Sequence, residues 1–242
     1  MTETLFISDL HLDRERPDIQ ALFHQFLQER AAGADALYIL GDLFEFWIGD
    51  DDPQLTHAAT LGALKAVTQT GTPVYFLPGN RDFLVGSGFL QGTGCQLLED
   101  HQIIDLYGRR VLVMHGDTLC TDDVEYQQLR QMMRNPQWQE QFLAQPYEAR
   151  LQQVLSLREK SREATVAKGE IITDVNQQSV LEVMSRYGVT ELIHGHTHRP
   201  AVHHFELEGR EATRYVLGDW YEQGSLLSCT PKGCQLTTLP LA

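Results

Sequence analysis

Short apolar runs recur along the chain, and apolar residues at helical spacing alternate with several of them. Thr4-Leu5-Phe6-Ile7-Ser8 reads as a first strand, and Ile19, Leu22, Phe23, Phe26 and Leu27 fall on one helix face after it. Ala36-Leu37-Tyr38-Ile39-Leu40 reads as a second strand, followed by a helix marked by Leu61, Leu64 and Val67. Val74-Tyr75-Phe76-Leu77 is a third strand, turned by Pro78-Gly79. Ile103 to Leu106 and Arg110 to Met114 predict a hairpin across Tyr107-Gly108-Arg109. Leu192-Ile193 is a further short strand, and alternation with Gly turns from Tyr215 to Leu239 predicts more. Strand, helix, strand in this order predicts an α/β domain. Residues 121 to about 170 break the rhythm with a Gln- and Arg-rich helical pattern. That stretch is expected to be a helical insertion, a lid or cap, within a single domain spanning 1–242.

Polar residues of one kind follow the apolar runs. Asp9-Leu10-His11 ends the first strand, and extended spacing puts its carboxylate and imidazole on one face. Gly41-Asp42, Gly79-Asn80-Arg81-Asp82, His115-Gly116-Asp117 and Gly195-His196-Thr197-His198 repeat the arrangement. The carboxyl ends of strands are where α/β sheets gather their chemistry.

Composition narrows the reading. A hydrophobic share of 42% and a charged share of 21% describe an ordinary globular protein. A net charge of -14 repels nucleic acid, so no nucleic-acid partner is expected. Cys95, Cys120, Cys229 and Cys234 form no C-x-x-C pair and read as reduced thiols of a cytoplasmic protein. No basic-then-apolar leader precedes the first strand, and no apolar stretch approaches the ~20 residues of a membrane span.

Taken singly, each polar residue is a turn residue, a cap or a surface histidine. As an ordered set, Asp9, His11, Asp42, Asn80, His115, His196 and His198 supply oxygen and imidazole donors without thiolate. Such a set suits manganese, iron or zinc better than magnesium. Seven ligands are too many for one tetrahedral ion and suit two ions sharing a carboxylate, for which Asp42 is the candidate. His24, His57, His101, His203 and His204 lack this context. His194 is left structural because Gly195 is expected to break its strand. The Gly-rich Val85-Gly86-Ser87-Gly88 lacks the Lys-Ser/Thr ending of a phosphate loop.

The set resembles the signature of the calcineurin-like metallophosphoesterases. The resemblance implies a four-layer αββα sandwich with a dimetal site on the sheet rim. It implies Asp9, His11, Asp42 and His198 around one ion, and Asp42, Asn80, His115 and His196 around the other. Two departures matter. Many members read Gly-Asn-His-Asp where this chain has Arg81, which binds phosphate oxygens but cannot act as a general acid. The leaving group is therefore expected to need little protonation, as a phosphate does. Members also commonly carry an Asp where Glu45 stands.

Longer strings resemble a branch of the family that acts on a lipid-linked nucleotide sugar. They are Gly41 to Glu45, Trp47 to Asp52, Gly79 to Leu84, Met114 to Asp123 and Ile193 to Val202. This resemblance implies two Mn2+ per chain, other divalent transition metals being possible. It implies hydrolysis of a UDP-diacylglucosamine to UMP and diacylglucosamine 1-phosphate (lipid X), in lipid A biosynthesis. It assigns substrate contacts to Asn80, Arg81, Asp123, Ser161, Thr165, Lys168 and His196, with Arg81, Asp42 and His196 as catalytic residues. Tyr147, Leu151, Val154, Arg158, Ser161, Thr165 and Lys168 then form one helix stripe, apolar early and polar late. Its early half is expected to line an acyl channel.

Arg130, Arg134, Arg150, Arg158, Lys160, Arg162 and Lys168 outnumber Glu140, Glu148, Glu159 and Glu163 in the insertion. This surplus is expected to face an anionic bilayer through Arg150, Arg158 and Arg162. The expected location is the cytoplasmic face of the inner membrane, peripherally bound, with no obligate protein partner. The competing readings are a general phosphodiesterase or protein phosphatase of the same fold, and a non-catalytic scaffold. A scaffold would have lost ligand histidines, and none is missing here.

Overall fold

Every residue of strand β1 (Thr4–Ile7) is buried, which marks it as the centre of a sheet covered on both faces. It pairs in parallel with β2 (Ala36–Ile39), followed by β3 (Val74–Phe76) and the short β4 (Gln96–Leu97). On its other side β10 (Gly224–Thr230) and then β11 (Gly233–Leu239) run antiparallel. A second sheet has the order β5 (His101–Leu106), β6 (Arg109–Met114), β7 (Glu191–His194), β9 (Arg210–Val216), β8 (Ala201–Leu207). These strands, and the helices named below, belong to a computed structural model that describes residues 2–53, 55–167 and 174–241, with the helical backbone but not the side chains of 160–167.

Alternation along the strands divides the core into layers. Leu5, Ile7, Leu37 and Ile39 face helices α1 (Pro17–Phe26), α2 (Ala58–Gln69) and α3 (Ser87–Thr93), in one cluster with Phe23, Leu64 and Phe89. Phe6, Tyr38 and Leu227 face the other way and meet Val111, Val113 and Ile193 between the sheets. Leu112, Met114 and Leu192 lie on the far face of the second sheet, against Val180, Val183 and Met184 of α7 (Gln177–Tyr187). The layers are therefore helix, sheet, sheet, helix, as the αββα expectation requires. The helix ends follow local chemistry. Pro17 opens α1, Asn176 caps α7 by accepting from the Gln178 and Ser179 amides, and Gly188 closes it in a left-handed conformation.

Between β6 and α7 come α4 (Val124–Met133), α5 (Pro136–Leu143) and α6 (Tyr147–Ala167). Asp123, an expected substrate contact, caps α4 by accepting from the Tyr126 amide at 3.1 Å. The expectation that basic residues of this stretch face a bilayer is corrected for those described. Arg150 is 1% exposed, and donates to the Ile48 carbonyl at 2.6 Å and to Asp51. Arg158 pairs with Glu45. Arg130 reaches Asp117 and Asp100, and Arg134 reaches Asp100 and the Gly79 carbonyl. Each finds its partner outside residues 121–170, and the cationic ends latch α4, α5 and α6 to the loops after β2, β3, β4 and β6. Lys160, Ser161, Arg162, Thr165 and Lys168 lie outside the residues whose side chains are described.

The thiol expectation is corrected too. Register in the β10–β11 hairpin sets Cys229 opposite Cys234, with Cα atoms 4.0 Å apart, and a disulfide joins them. Cys95 and Cys120 remain thiols. Among the described residues, no helix is long and apolar enough to cross a membrane.

Candidate metal centre

Five strand ends deliver the seven residues singled out in the sequence to one place. Asp9 and His11 follow β1, Asp42 follows β2, Asn80 follows β3, His115 follows β6, and His196 and His198 follow β7. The loops are knitted to one another. The Asp9 amide donates to the Gly41 carbonyl, the His11 amide to Asp42 and the Gly195 amide to His115. Asp9, His11, Asp42, His196 and His198 all have positive φ, a strained conformation for residues with a Cβ. Two glycines allow the close approach. A Cβ on Gly79 would stand 2.1 Å from Asp42 Oδ1, and one on Gly195 would stand 2.2 Å from Asp9 Oδ2.

The donor atoms fall into two groups. In the first, His11 Nε2 and His198 Nε2 are 3.2 Å apart, and His198 Nε2 is 3.5 Å from Asp9 Oδ1. In the second, Asn80 Oδ1 lies 2.9 Å from His115 Nε2 and 2.9 Å from His196 Nδ1, and the two nitrogens are 3.3 Å apart. Asp42 stands between them, with Oδ2 at 3.9 Å from His11 Nε2 and Oδ1 at 3.7 Å from His115 Nε2. Asp9 also reaches both sides, grouping with His11 and His198 and with Asp42 and His115. Ligands at ~2.1 Å from one ion stand roughly 3–3.4 Å apart, so these spacings fit divalent cations.

Partners behind the ring fix which nitrogen faces inward. His115 Nδ1 donates to the Leu40 carbonyl at 2.8 Å, leaving Nε2 for the cluster. His198 Nδ1 lies 3.2 Å from Asp219, and His11 Nδ1 lies 3.2 Å from Glu45. Asp9 Oδ2 accepts from Ser8 Oγ and from the His196 amide, while buried Asp9 Oδ1 has no hydrogen-bond partner. An orphaned buried carboxylate oxygen beside facing imidazole nitrogens is a site built for positive charge.

The electrostatics agree. Burial would raise the Asp9 carboxyl, but the imidazoles of His198, His115 and His11 outweigh it and hold it well below the usual carboxylate range. Burial would lower His198, yet Asp219 and Asp9 carry it up to about 10. Burial and the neighbouring His115 push His196 down to about 4. Burial and the charge of Asp42 raise Asp82 to about 6.

Asp82, Glu45 and Asp219 were not singled out in the sequence as supports. Asp82 is fully buried and accepts from the amides of Gly79 at 2.8 Å and Leu43 at 2.7 Å, locking the loops after β2 and β3 together. It was visible as the last residue of Gly-Asn-Arg-Asp. Asp219 follows Val216-Leu217-Gly218, the same apolar-run, Gly, Asp pattern as Asp42. His194, left structural, is indeed turned away: it is buried, with Nδ1 donating to the Gly195 carbonyl and Nε2 3.2 Å from Arg214.

A cleft opens beside Asn80 and Arg81. Phe46, Trp47, Ile48, Phe83 and Leu84 form one wall, and Leu129, Met133, Trp138, Phe142, Val154 and Leu157 of α4, α5 and α6 form the other. Arg81 Nε is buried there without a hydrogen-bond partner, while its amide donates to Asp42 Oδ1 at 2.8 Å.

The sequence matches the calcineurin-like phosphoesterase family over residues 3–200. It is 53% identical to a UDP-2,3-diacylglucosamine hydrolase of Stenotrophomonas maltophilia, covering 98% of both chains. It is 51% identical to a protein of the same name from Serratia proteamaculans, covering 98% of this chain and 99% of that one. A third of that name, from Xanthomonas campestris, is 52% identical, with 98% and 99% covered. With its signature residues gathered on one rim and relatives that align along nearly its whole length, the chain belongs to the calcineurin-like phosphoesterase family.

Proposed function

We propose that this chain hydrolyses the diphosphate of UDP-2,3-diacylglucosamine to UMP and 2,3-diacylglucosamine 1-phosphate, lipid X. The observation that carries the reading is the apolar cleft running from Asn80 and Arg81 to the three inserted helices. A diphosphate bound at the rim can lay its acyl chains along Phe83, Trp138 and Phe142, as cores of aromatic and aliphatic side chains bind apolar ligands. The names of the relatives support the same substrate.

Asp9, His11, Asp42 and His198 hold one Mn2+ in this reading, and Asp42, Asn80, His115 and His196 hold the other. When bound, such ions activate water and neutralise phosphoryl charge. Water oxygen bonds to the α-phosphorus, and the bond from that phosphorus to the bridging oxygen breaks. The bridging oxygen leaves on the sugar 1-phosphate, and the water oxygen stays with UMP. Arg81, which lines the cleft, holds the phosphate oxygens. A phosphate leaves without a general acid, which is consistent with arginine at this place. Asn80 and His196 position the diphosphate, and Asp42 orders the two halves of the centre. Asp123, Ser161, Thr165 and Lys168 are assigned to the nucleotide sugar.

The chain is one domain in this account, with about 121–170 as its cap. Leu143, Leu155, Leu157, Met132 and Val124 expose apolar surface on the cap. Peripheral contact with the cytoplasmic face of the inner membrane is therefore assigned to these residues rather than to Arg150 and Arg158. No nucleic acid and no obligate protein partner enters the account.

The test is turnover of UDP-2,3-diacylglucosamine against a plain aryl phosphodiester in H2(18)O. The expected result is faster turnover of the lipid, with the label in UMP. Faster turnover of the aryl ester contradicts the reading and favours a general phosphodiesterase, and label in lipid X contradicts attack at the α-phosphorus.

A further inference from the structure

Glu45 stands where the family commonly has aspartate, and its carboxylate joins two parts of the molecule. Its backbone is zippered to the first ligand loop, with the Glu45 amide donating to the Leu12 carbonyl and the Leu12 amide to Leu43. One carboxylate oxygen, Oε2, lies 3.2 Å from His11 Nδ1. The other, Oε1, accepts from Arg158 Nη2 of α6. The side chains are 2% exposed for His11, 12% for Glu45 and 33% for Arg158, so the line runs from the interior to the cap. The Arg158 guanidinium also lies over the Phe46 ring, 5.8 Å from its centroid, next to Glu45 in sequence.

His11 has one nitrogen to offer a cation. Nε2 faces His198 and Asp42, so Nδ1 must carry the proton; it is buried, makes no aligned hydrogen bond in this structure, and has Glu45 Oε2 3.2 Å away as its ion-pair partner. A lone glutamate could turn to solvent. Held at its other oxygen by Arg158, it keeps its place.

We infer that Glu45 and Arg158 are a positioning pair: Arg158 on the cap fixes Glu45, Glu45 fixes the ring of His11, and seating of α6 thereby sets metal affinity. This rests on the reading that His11 Nε2 faces a divalent cation. Neither residue is assigned to the reacting atoms.

The test is Mn2+ titration of metal-depleted protein, read as free Mn2+ by electron paramagnetic resonance. Wild type is compared with Glu45→Gln, Arg158→Ala, Arg158→Lys and the Glu45→Gln/Arg158→Ala double variant. Glu45→Gln is expected to weaken one Mn2+ by about 10- to 100-fold, the usual cost of losing a partner behind a ligand. Arg158→Ala should weaken the same ion by about 5-fold or more, and Arg158→Lys should recover part of the loss. The double variant should bind about as Glu45→Gln does, because Arg158 acts through Glu45. Arg158→Ala with wild-type affinity, or losses that multiply in the double variant, overturns the pair. Should Glu45→Gln fail to fold, the half-exposed Arg158 variants decide alone. Wild type that takes up no Mn2+ overturns the metal reading itself, whereas uptake unchanged by Arg158→Ala overturns only the pair.

Discussion

Asp42 turns one carboxylate oxygen toward each half of the cluster. Asp42→Ala is expected to abolish turnover and to lower metal content, measured by elemental analysis. Normal metal occupancy would contradict its shared role. Arg81→Ala should keep its metal and lose about 10²-fold in kcat, the cost of one oxyanion-type donor. An unchanged rate removes Arg81 from the mechanism. The thiols give a pH signature. Burial pushes Cys95 up to about 11, and burial with the charges of Asp117, Asp174 and Asp123 pushes Cys120 up to about 12. A raised thiol pKa means less thiolate at every pH below it, so neither should alkylate in native protein at pH 8. Rapid alkylation there would contradict their burial. The candidate metal-site positions were legible because each follows an apolar run within three residues or, like His198, stands two residues after one that does. Glu45 and Asp219 were not legible as supports, since what defines them is a partner brought by the fold, His11 and His198.

At the scale of elements, α4, α5 and α6 are anchored by their arginines. Arg130 and Arg134 grip the loops after β6 and β3, and Arg150 and Arg158 grip the loop after β2. Arg150→Ala is expected to lower the stability of the protein by about 2 kcal/mol, through charge-assisted hydrogen bonds lost to Ile48 and Asp51. Urea denaturation measures it, and a change within ~0.5 kcal/mol would show that the latch is not structural. The sequence suggested a basic face because opposing charges were counted only within the stretch. Asp51, Glu45, Asp100 and Asp117 lie outside it and arrive through tertiary contact. The parallel strands were readable as short apolar runs because both faces are buried. β8 was missed because its His203, His204 and Glu206 face solvent, and two-residue β4 because nothing in its pattern marks it. The hairpin turn is one residue shorter than expected: Tyr107 and Gly108, both at positive φ, suffice, and Arg109 already belongs to the strand.

For the whole molecule, two sheets from separate stretches of chain meet with the same ends together, and that meeting makes the site. Asp9, Asp42 and Asn80 come from one sheet, and His115, His196 and His198 from the other. Denatured protein without reductant should expose two alkylatable thiols, Cys95 and Cys120, by mass spectrometry. Four would restore the reduced state read from sequence. The most direct measurement of the central claim is anomalous diffraction at the manganese edge from Mn2+-soaked crystals. The account predicts two peaks, one among Asp9, His11, Asp42 and His198, the other among Asp42, Asn80, His115 and His196. A single peak, or manganese bound away from these residues, would contradict it.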